Sequence, residues 1–348
     1  MKSSNPLSVL VAYKKNYELL ITKLIKYTYY FIEAPTDKLL HKKISFILIL
    51  RYTIVLFLLV MFFACNQVSK VNGPKYSDTI ISPKIPVYHF AIHPLHNPNK
   101  LRSSYQPLID YLNEKITGVQ FEIEASKNYA LFEHKYKGRK TEFILPNPWQ
   151  TIQAIKFGYN VIAMAGDPKD FKGLIIVRKD GGITKPSDLI GKTVCYPAAT
   201  ALAACIMPQF FLYKNGININ TDINNMYVGS QESSIINVYM KRSVAGATWP
   251  PPWRSFLKEH PKEASQLKVI WETESLINNS VMVRNDISDT ITEQVKKCLS
   301  ELQQSYRGRK ILDGIETARF ISASNKTYDT VATYINRFET EVRKIDIQ

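Results

Sequence analysis

Between residues 85 and 165, short apolar runs alternate with amphipathic stretches, a rhythm that predicts strands and helices in turn. IPVYHFAI (85–92) reads as a strand, and LRSSYQPLIDYLNEKI (101–116) places Leu101, Tyr105, Leu108, Leu112 and Ile116 on one helical face. VQFEIEA (119–125) has the two-residue period of a strand. A short helix from Tyr129, a strand EFIL (142–145), a helix from Trp149 and a strand NVIAMAG (160–166) follow. The second stretch repeats the rhythm with strands GLIIVRKD (173–180) and TVCYP (193–197). ATALAACIMPQFFLYKNG (199–216) reads as a helix kinked at Pro208 and stopped by Gly216. Strand MYVGS (226–230), helix ESSIINVYMKR (232–242) and strand AGATW (245–249) come next. VIWETE (269–274) and NSVMVRND (279–286) precede helical segments around 288–307 and 327–343. The pattern predicts an α/β protein of two lobes, each a mixed, mostly parallel sheet flanked by helices, with a cleft between them. Residues 85–168 and 275–348 are expected to form lobe 1, and 169–274 lobe 2.

The N-terminal part has a different pattern. Residues 44–63, ISFILILRYTIVLFLLVMFF, are apolar except for Arg51 and come directly after HKK, which is the layout of a secretory signal. Ala64 and Cys65 close that run, an ending similar to the bacterial lipoprotein signal, in which the cysteine is lipidated and becomes the mature N-terminus. An uncleaved transmembrane anchor is the alternative, since a run of that length can span a bilayer. Lys38, Lys42 and Lys43 lie before the run, so either reading places the C-terminal part of the chain outside the cytoplasm. Residues 66–84, rich in Gly, Pro and Ser, are expected to be a tether, and residues 1–43 an extension of unclear role.

Of the net charge of +15, residues 1–64 carry nine Lys or Arg against three acids, leaving +9 for the exported part. A moderately basic domain suits an anionic ligand or an acidic surface. No stripe of Lys and Arg interleaved with aromatics runs through it, which argues against nucleic acid. Beyond Cys65 the cysteines are Cys195, Cys205 and Cys298, with no CxxC spacing, and they read as small buried hydrophobes. His93 and His96 flank Pro94, which breaks the helix a zinc pair would need, so no metal and no cofactor is expected. Gly191-Lys192-Thr193 lacks the first glycine of a P-loop, whose place Pro186 holds. Neither a nucleophile elbow nor a zincin helix occurs, and no spacing forces two carboxylates together, so nothing proposes an enzyme.

In open α/β sheets ligands bind beyond the carboxyl ends of the strands. Those ends are His93-Pro94, Asn128-Tyr129, Pro146–Trp149, Pro197–Thr200, Gly229–Gln231 and Thr248–Pro250. Their order, together with HPLHNPNKLRSSYQPLIDYLNEKI, NYALFE, PNPWQTIQAIKFGY, LIIVRKDGGITKPSDLIGKTVCYP, MPQFFLYKNGI, YVGSQESSIINVYMK and GRKILDGI, resembles the phosphate/phosphite/phosphonate-binding proteins of ABC transporters. That resemblance covers about 90 to 325 and implies the type 2 periplasmic binding protein fold. It also implies that Tyr129 and the Asn147–Trp149 loop line the cleft, and that the helix after VCYP holds the ligand.

In that helix the family's run of serine and threonine is replaced by Ala199, Ala201, Ala203 and Ala204, with Thr200 alone keeping a hydroxyl, and the family's histidine in the G-S-H turn is matched by Gln231. Each lost charge-assisted donor is worth roughly 1.5–3 kcal/mol to an anion, so either a phosphonate-like ligand or another small organic molecule remains open. Trp149, Tyr196 and Trp249 offer aromatic faces at the strand ends, equally suited to packing the lobes. The expected ligand-binding set is therefore His93, Tyr129, Asn147, Trp149, Tyr196, Thr200, Ser230, Gln231 and Trp249, with Cys65 as the lipidation site. The expected function is a monomeric, membrane-anchored, extracytoplasmic solute-binding protein that delivers a small molecule to an ABC permease. A sensor that uses the same cleft to signal to a membrane partner is the alternative.

Overall fold

The computed structural model describes residues 85–345, so the export segment, Cys65 and the tether lie outside the described residues. In lobe 1, β1 (Val87–Ile92), α1 (Pro98–Lys115), β2 (Gln120–Ala125), α2 (Tyr129–Lys137), β3 (Phe143–Leu145), α3 (Pro148–Lys156) and β4 (Tyr159–Ala165) come in order. The chain then builds a second lobe from β5 (Leu174–Arg178), β6 (Thr193–Tyr196), α4 (Met207–Lys214), β7 (Asn224–Tyr227), α5 (Gln231–Tyr239), β8 (Ala245–Thr248), α6 (Pro250–Glu259) and β9 (Leu267–Glu272). It returns through β10 (Ser280–Arg284), α7 (Asp289–Glu301), α8 (Tyr306–Gly314), β11 (Phe320–Ser322) and α9 (Asp329–Glu341). Six strands form one sheet in the order β11-β4-β10-β3-β1-β2, and five form the other in the order β7-β6-β8-β5-β9. This is the two-lobed α/β architecture that the alternation of periods predicts.

Helix starts depend on side-chain caps. Asn97, Asn128, Asn147 and Ser230 each accept a backbone N–H from the first turn of the helix they precede, satisfying one of its orphan donors. Trp249 offers no such cap, but Pro250, Pro251 and Pro252 fill the first turn of α6, where N–H groups have no intrahelical partner to lose. The apolar face expected for α1 is buried at Leu101, Tyr105, Leu108, Leu112 and Ile116. Cys195, Cys205 and Cys298 are free thiols in the interior.

Residues 199–216 depart from the single kinked helix that the sequence suggests. The chain stays extended at Ala201, makes one π turn over Leu202–Ile206, and becomes α-helical at Met207. The helical backbone runs on from Leu202 into α4, and Pro208, which has no N–H to give to the turn before it, sits where the wide π turn passes into the α-helix. Strand β11 has three residues, too short to show a period, and the sequence pattern does not predict it.

Each sheet contains internal strands that run against both neighbours, β4 and β10 in the first and β5 in the second. β10 is antiparallel to β3 and β4, and β5 is antiparallel to β8 and β9. The links between the lobes therefore lie side by side, one leaving β4 for β5 and the other leaving β9 for β10. Ala165 N–H donates to Asn279 O (2.7 Å), Leu276 N–H to Phe171 O (2.8 Å), and Thr273 N–H to Gly173 O (2.9 Å). Asn278 Nδ2 adds a bond to Asp167 O (2.9 Å).

Gly166 turns the first link at φ +89°, and a Cβ there would meet Asn278 Nδ2 at 2.7 Å. Gly173 lets the same link approach the π turn, since its Cβ would lie 2.5 Å from Ala203 O. Gly166→Ala is expected to destabilise the protein by about 1–3 kcal/mol, through left-handed backbone strain and the displaced Asn278. Chemical denaturation checks this, and an unchanged midpoint would contradict it.

Candidate functional site

Antiparallel β5 and β10 begin where their parallel neighbours end, so strand starts and strand ends meet at one rim. A small cavity lies there. Lobe 1 lines it with His93, Tyr129, Asn147 and Asn279, and lobe 2 with Ala201 to Ala204, Gln231 and Trp249. Phe171 of the first link completes the wall, its ring centroid 5.4 Å from that of Trp249.

His93 comes directly after β1 and is 2% exposed. Its Nδ1 lies 2.9 Å from Leu145 O, and a carbonyl can only accept, so Nδ1 carries the proton. Burial lowers its pKa to about 4, with the carbonyl bond acting weakly the other way. At neutral pH the ring is uncharged, and Nε2 holds a lone pair.

Tyr129 starts α2, and Gln231 starts α5 in the opposite lobe. Gln231 Nε2 donates to Tyr129 Oη (3.1 Å), while Gln231 Oε1 accepts from Thr248 Oγ1 (3.0 Å). The phenol keeps its proton because burial raises its pKa. Asn147 caps α3 through Oδ1 and donates from Nδ2 across the cleft to Thr200 O (3.1 Å). Two buried polar atoms at the cavity, Trp249 Nε1 and Asn279 Oδ1, have no hydrogen-bond partner among the described residues. Such groups are uncommon in folded chains.

The π turn adds backbone donors. Its first bond runs from Ile206 N–H to Ala201 O, so the N–H groups of Leu202 to Cys205 have no partner within the turn. Side chains at Ala201, Ala203 and Ala204 contribute only methyl groups beside them.

Other expected site residues lie elsewhere. Trp149 is packed in the lobe 1 core and Tyr196 in the lobe 2 core, and neither lines the cavity. Ser230 caps α5, accepting from Ser233 N–H (3.1 Å). Thr200 turns away from the cavity and donates to Glu133 Oε1 (2.6 Å), across the lobe boundary. Glu133 also accepts from Gln150 Nε2 (3.2 Å) and lies 3.8 Å from Lys137 Nζ. These two residues wall an adjoining opening with Asn128, Pro197 and Tyr227. Further ties close the rim: Lys100 Nζ with Glu259 Oε2 (2.5 Å), Asn97 Nδ2 with Glu232 Oε2 (3.4 Å), and Arg254 with both Asp170 (2.8 Å) and Glu316 (2.9 Å).

Sequence reasoning passes over Asn279, Phe171 and Glu133. Asn279 and Phe171 precede antiparallel strands, and only the strand order reveals that such starts share a rim with parallel strand ends. Glu133 lies one turn into α2 from Tyr129, on the side that meets lobe 2.

Burial raises the Glu133 pKa, partly offset by the bonds from Thr200 and Gln150. A carboxyl with a raised folded pKa makes the fold bind its proton more tightly, so stability falls as pH climbs from the ordinary carboxylate value through the raised one. Glu133→Gln removes that titration. Its stability relative to the native chain is expected to rise as pH climbs above the ordinary carboxylate range, measured as a difference in unfolding midpoint, and a flat difference would contradict the assignment.

Comparison with known proteins gives a consistent result. Residues 90–328 match the family model described as "ABC transporter, phosphonate, periplasmic substrate-binding protein". The chain is 25% identical over 184 residues to the probable ABC transporter phosphite-binding protein PhnD1 of Prochlorococcus marinus (strain MIT 9301), covering 49% of this chain and 62% of that one. It therefore spans somewhat less than two thirds of that curated relative. Among solved structures, it is similar to PhnD1 of that organism in complex with methylphosphonate (TM-score 0.67, 20% identity, 73% of this chain and 98% of the other). A binding protein component of an ABC phosphonate transporter from Pseudomonas aeruginosa is also similar (TM-score 0.68, 17% identity, 73% and 87%). These likenesses support the type 2 periplasmic binding protein fold, and the family is one of substrate-binding proteins rather than enzymes. With the match running from β1 to the start of α9, the chain belongs to the ABC-transporter phosphonate periplasmic substrate-binding protein family.

Proposed function

We propose that this protein is the extracytoplasmic solute-binding component of an ABC transporter and that its two lobes close on a small phosphonate-like anion. The observation that carries this reading is a polar-lined cavity at the strand ends containing an unpartnered Trp249 Nε1–H. Beside it stand the unused N–H groups of the π turn, which supply partial positive charge without a cation. Backbone donors take over from the hydroxyls that Ala201, Ala203 and Ala204 do not provide. The aromatic contribution is then mainly Trp249, Tyr129 and Phe171.

In the same reading, residues 85–168 and 275–348 move as one lobe and 169–274 as the other, with the paired links as the hinge. The ligand-loaded monomer docks on an ABC permease. Lipidation of Cys65 holds it at the membrane, and residues 66–84 serve as the tether. The sensor alternative is not favoured, since the family match is to a transport component.

Full-length protein in detergent, tested against methylphosphonate, phosphite and phosphate, is expected to gain thermal stability with at least one of them. At one hundred times the dissociation constant, binding adds about 2.7 kcal/mol, a rise of several degrees. The absence of any shift with all three would sink the reading. For the anchor, Cys65→Ser is expected to abolish incorporation of labelled fatty acid and move the protein from the membrane fraction to the soluble one. Unchanged labelling would assign the lipid to another residue.

A further inference from the structure

The cavity combines unused donors with unused acceptors. On the donor side are Trp249 Nε1–H, the proton of Tyr129 and the N–H groups of the π turn. On the acceptor side are Asn279 Oδ1 and His93 Nε2, whose ring proton is committed to Leu145 O at Nδ1. Among the eleven lining residues none carries a positive charge.

We propose that the site selects the singly protonated form of a tetrahedral phosphorus oxyanion, and that His93 Nε2 and Asn279 Oδ1 receive its P–O–H proton. The inference rests on the phosphonate reading above and adds a requirement to it: the ligand must donate as well as accept.

Two physical arguments agree. Moving an ion out of water costs energy that grows with the square of its charge, and no cation here compensates a second negative charge, so the monoanion is favoured over the dianion. The acceptors also need a donor. A ligand with none leaves the His93 lone pair against another lone pair, and sites built to bond a hydroxyl reject analogues that lack it far more strongly than apolar pockets reject a missing methyl. Sulfonates match the shape and the single charge of the protonated phosphonate but carry no proton at neutral pH. They are the natural discriminating probe.

Titration calorimetry on the full-length protein tests this with methylphosphonate and methanesulfonate. The expected result is that methylphosphonate binds at least about 100-fold more tightly. His93→Phe, which keeps a ring of similar size but removes the acceptor, is expected to weaken methylphosphonate at least about tenfold while leaving methanesulfonate unchanged or improved, so that the ratio narrows. Asn279→Leu gives a second route to the same narrowing should the His93 variant not fold, because Asn279 Oδ1 has no hydrogen bond within the protein to lose. In the native protein, above the second ionisation of methylphosphonate, titrations in buffers of different ionisation heat should reveal uptake of close to one proton per ligand.

Equal affinity for the two ligands, an unchanged ratio in a folded variant, or binding without proton uptake would each overturn the inference while leaving the phosphonate reading intact. No binding of methylphosphonate, phosphite or phosphate would overturn both.

Discussion

Everything at the cleft depends on how the chain passes between its lobes. Two extended links lie side by side and bond to each other from Ala165 and Asn279 through Phe171 and Leu276 to Gly173 and Thr273. The first delivers β5 and the second delivers β10, and both strands enter their sheets from the cleft side. The starts of these strands join the carboxyl ends of their neighbours at a single rim. That arrangement puts Phe171 and Asn279 opposite the π turn, and it explains why Gly166 and Gly173, where side chains would collide with Asn278 and Ala203, occupy the link.

At the cavity, backbone groups stand where the neighbouring side chains offer only methyls. With alanines at the π turn, the turn retains its orphan N–H groups and presents them among methyls and an indole. Removal of water strengthens such dipoles, since the effective dielectric inside is far below that of water. The three prolines of α6 contribute indirectly. They fill the first turn immediately after Trp249 and restrict the backbone that carries its indole.

Much of the fold was legible in the sequence because its signals are local. The apolar face of α1 and the strand-like alternation of β2 depend on neighbours within a few residues. The site was only partly legible. His93, Tyr129, Asn147, Gln231 and Trp249 reach the cavity, as their places at strand ends implied. Trp149 and Tyr196 occupy equivalent places but point into the cores, because a strand end fixes position and not side-chain direction. The partner of Thr200 was invisible for a different reason: Glu133 lies 67 positions away and in the other lobe, and no periodicity encodes such a pairing.

The bonds that cross the cleft have a consequence for the economy of binding. Asn147 to Thr200, Thr200 to Glu133, Gln231 to Tyr129 and the ion pairs at the rim join the two lobes using protein groups alone. Whatever share of closure these contacts supply is a share the solute need not supply, and apparent affinity rises with the fraction of molecules already shut. The same bias makes an empty protein resemble a loaded one. If the protein serves a permease as proposed, and that permease recognises the shut shape, unladen copies compete in proportion to that fraction, so tight capture at low solute concentration comes with slower maximal delivery.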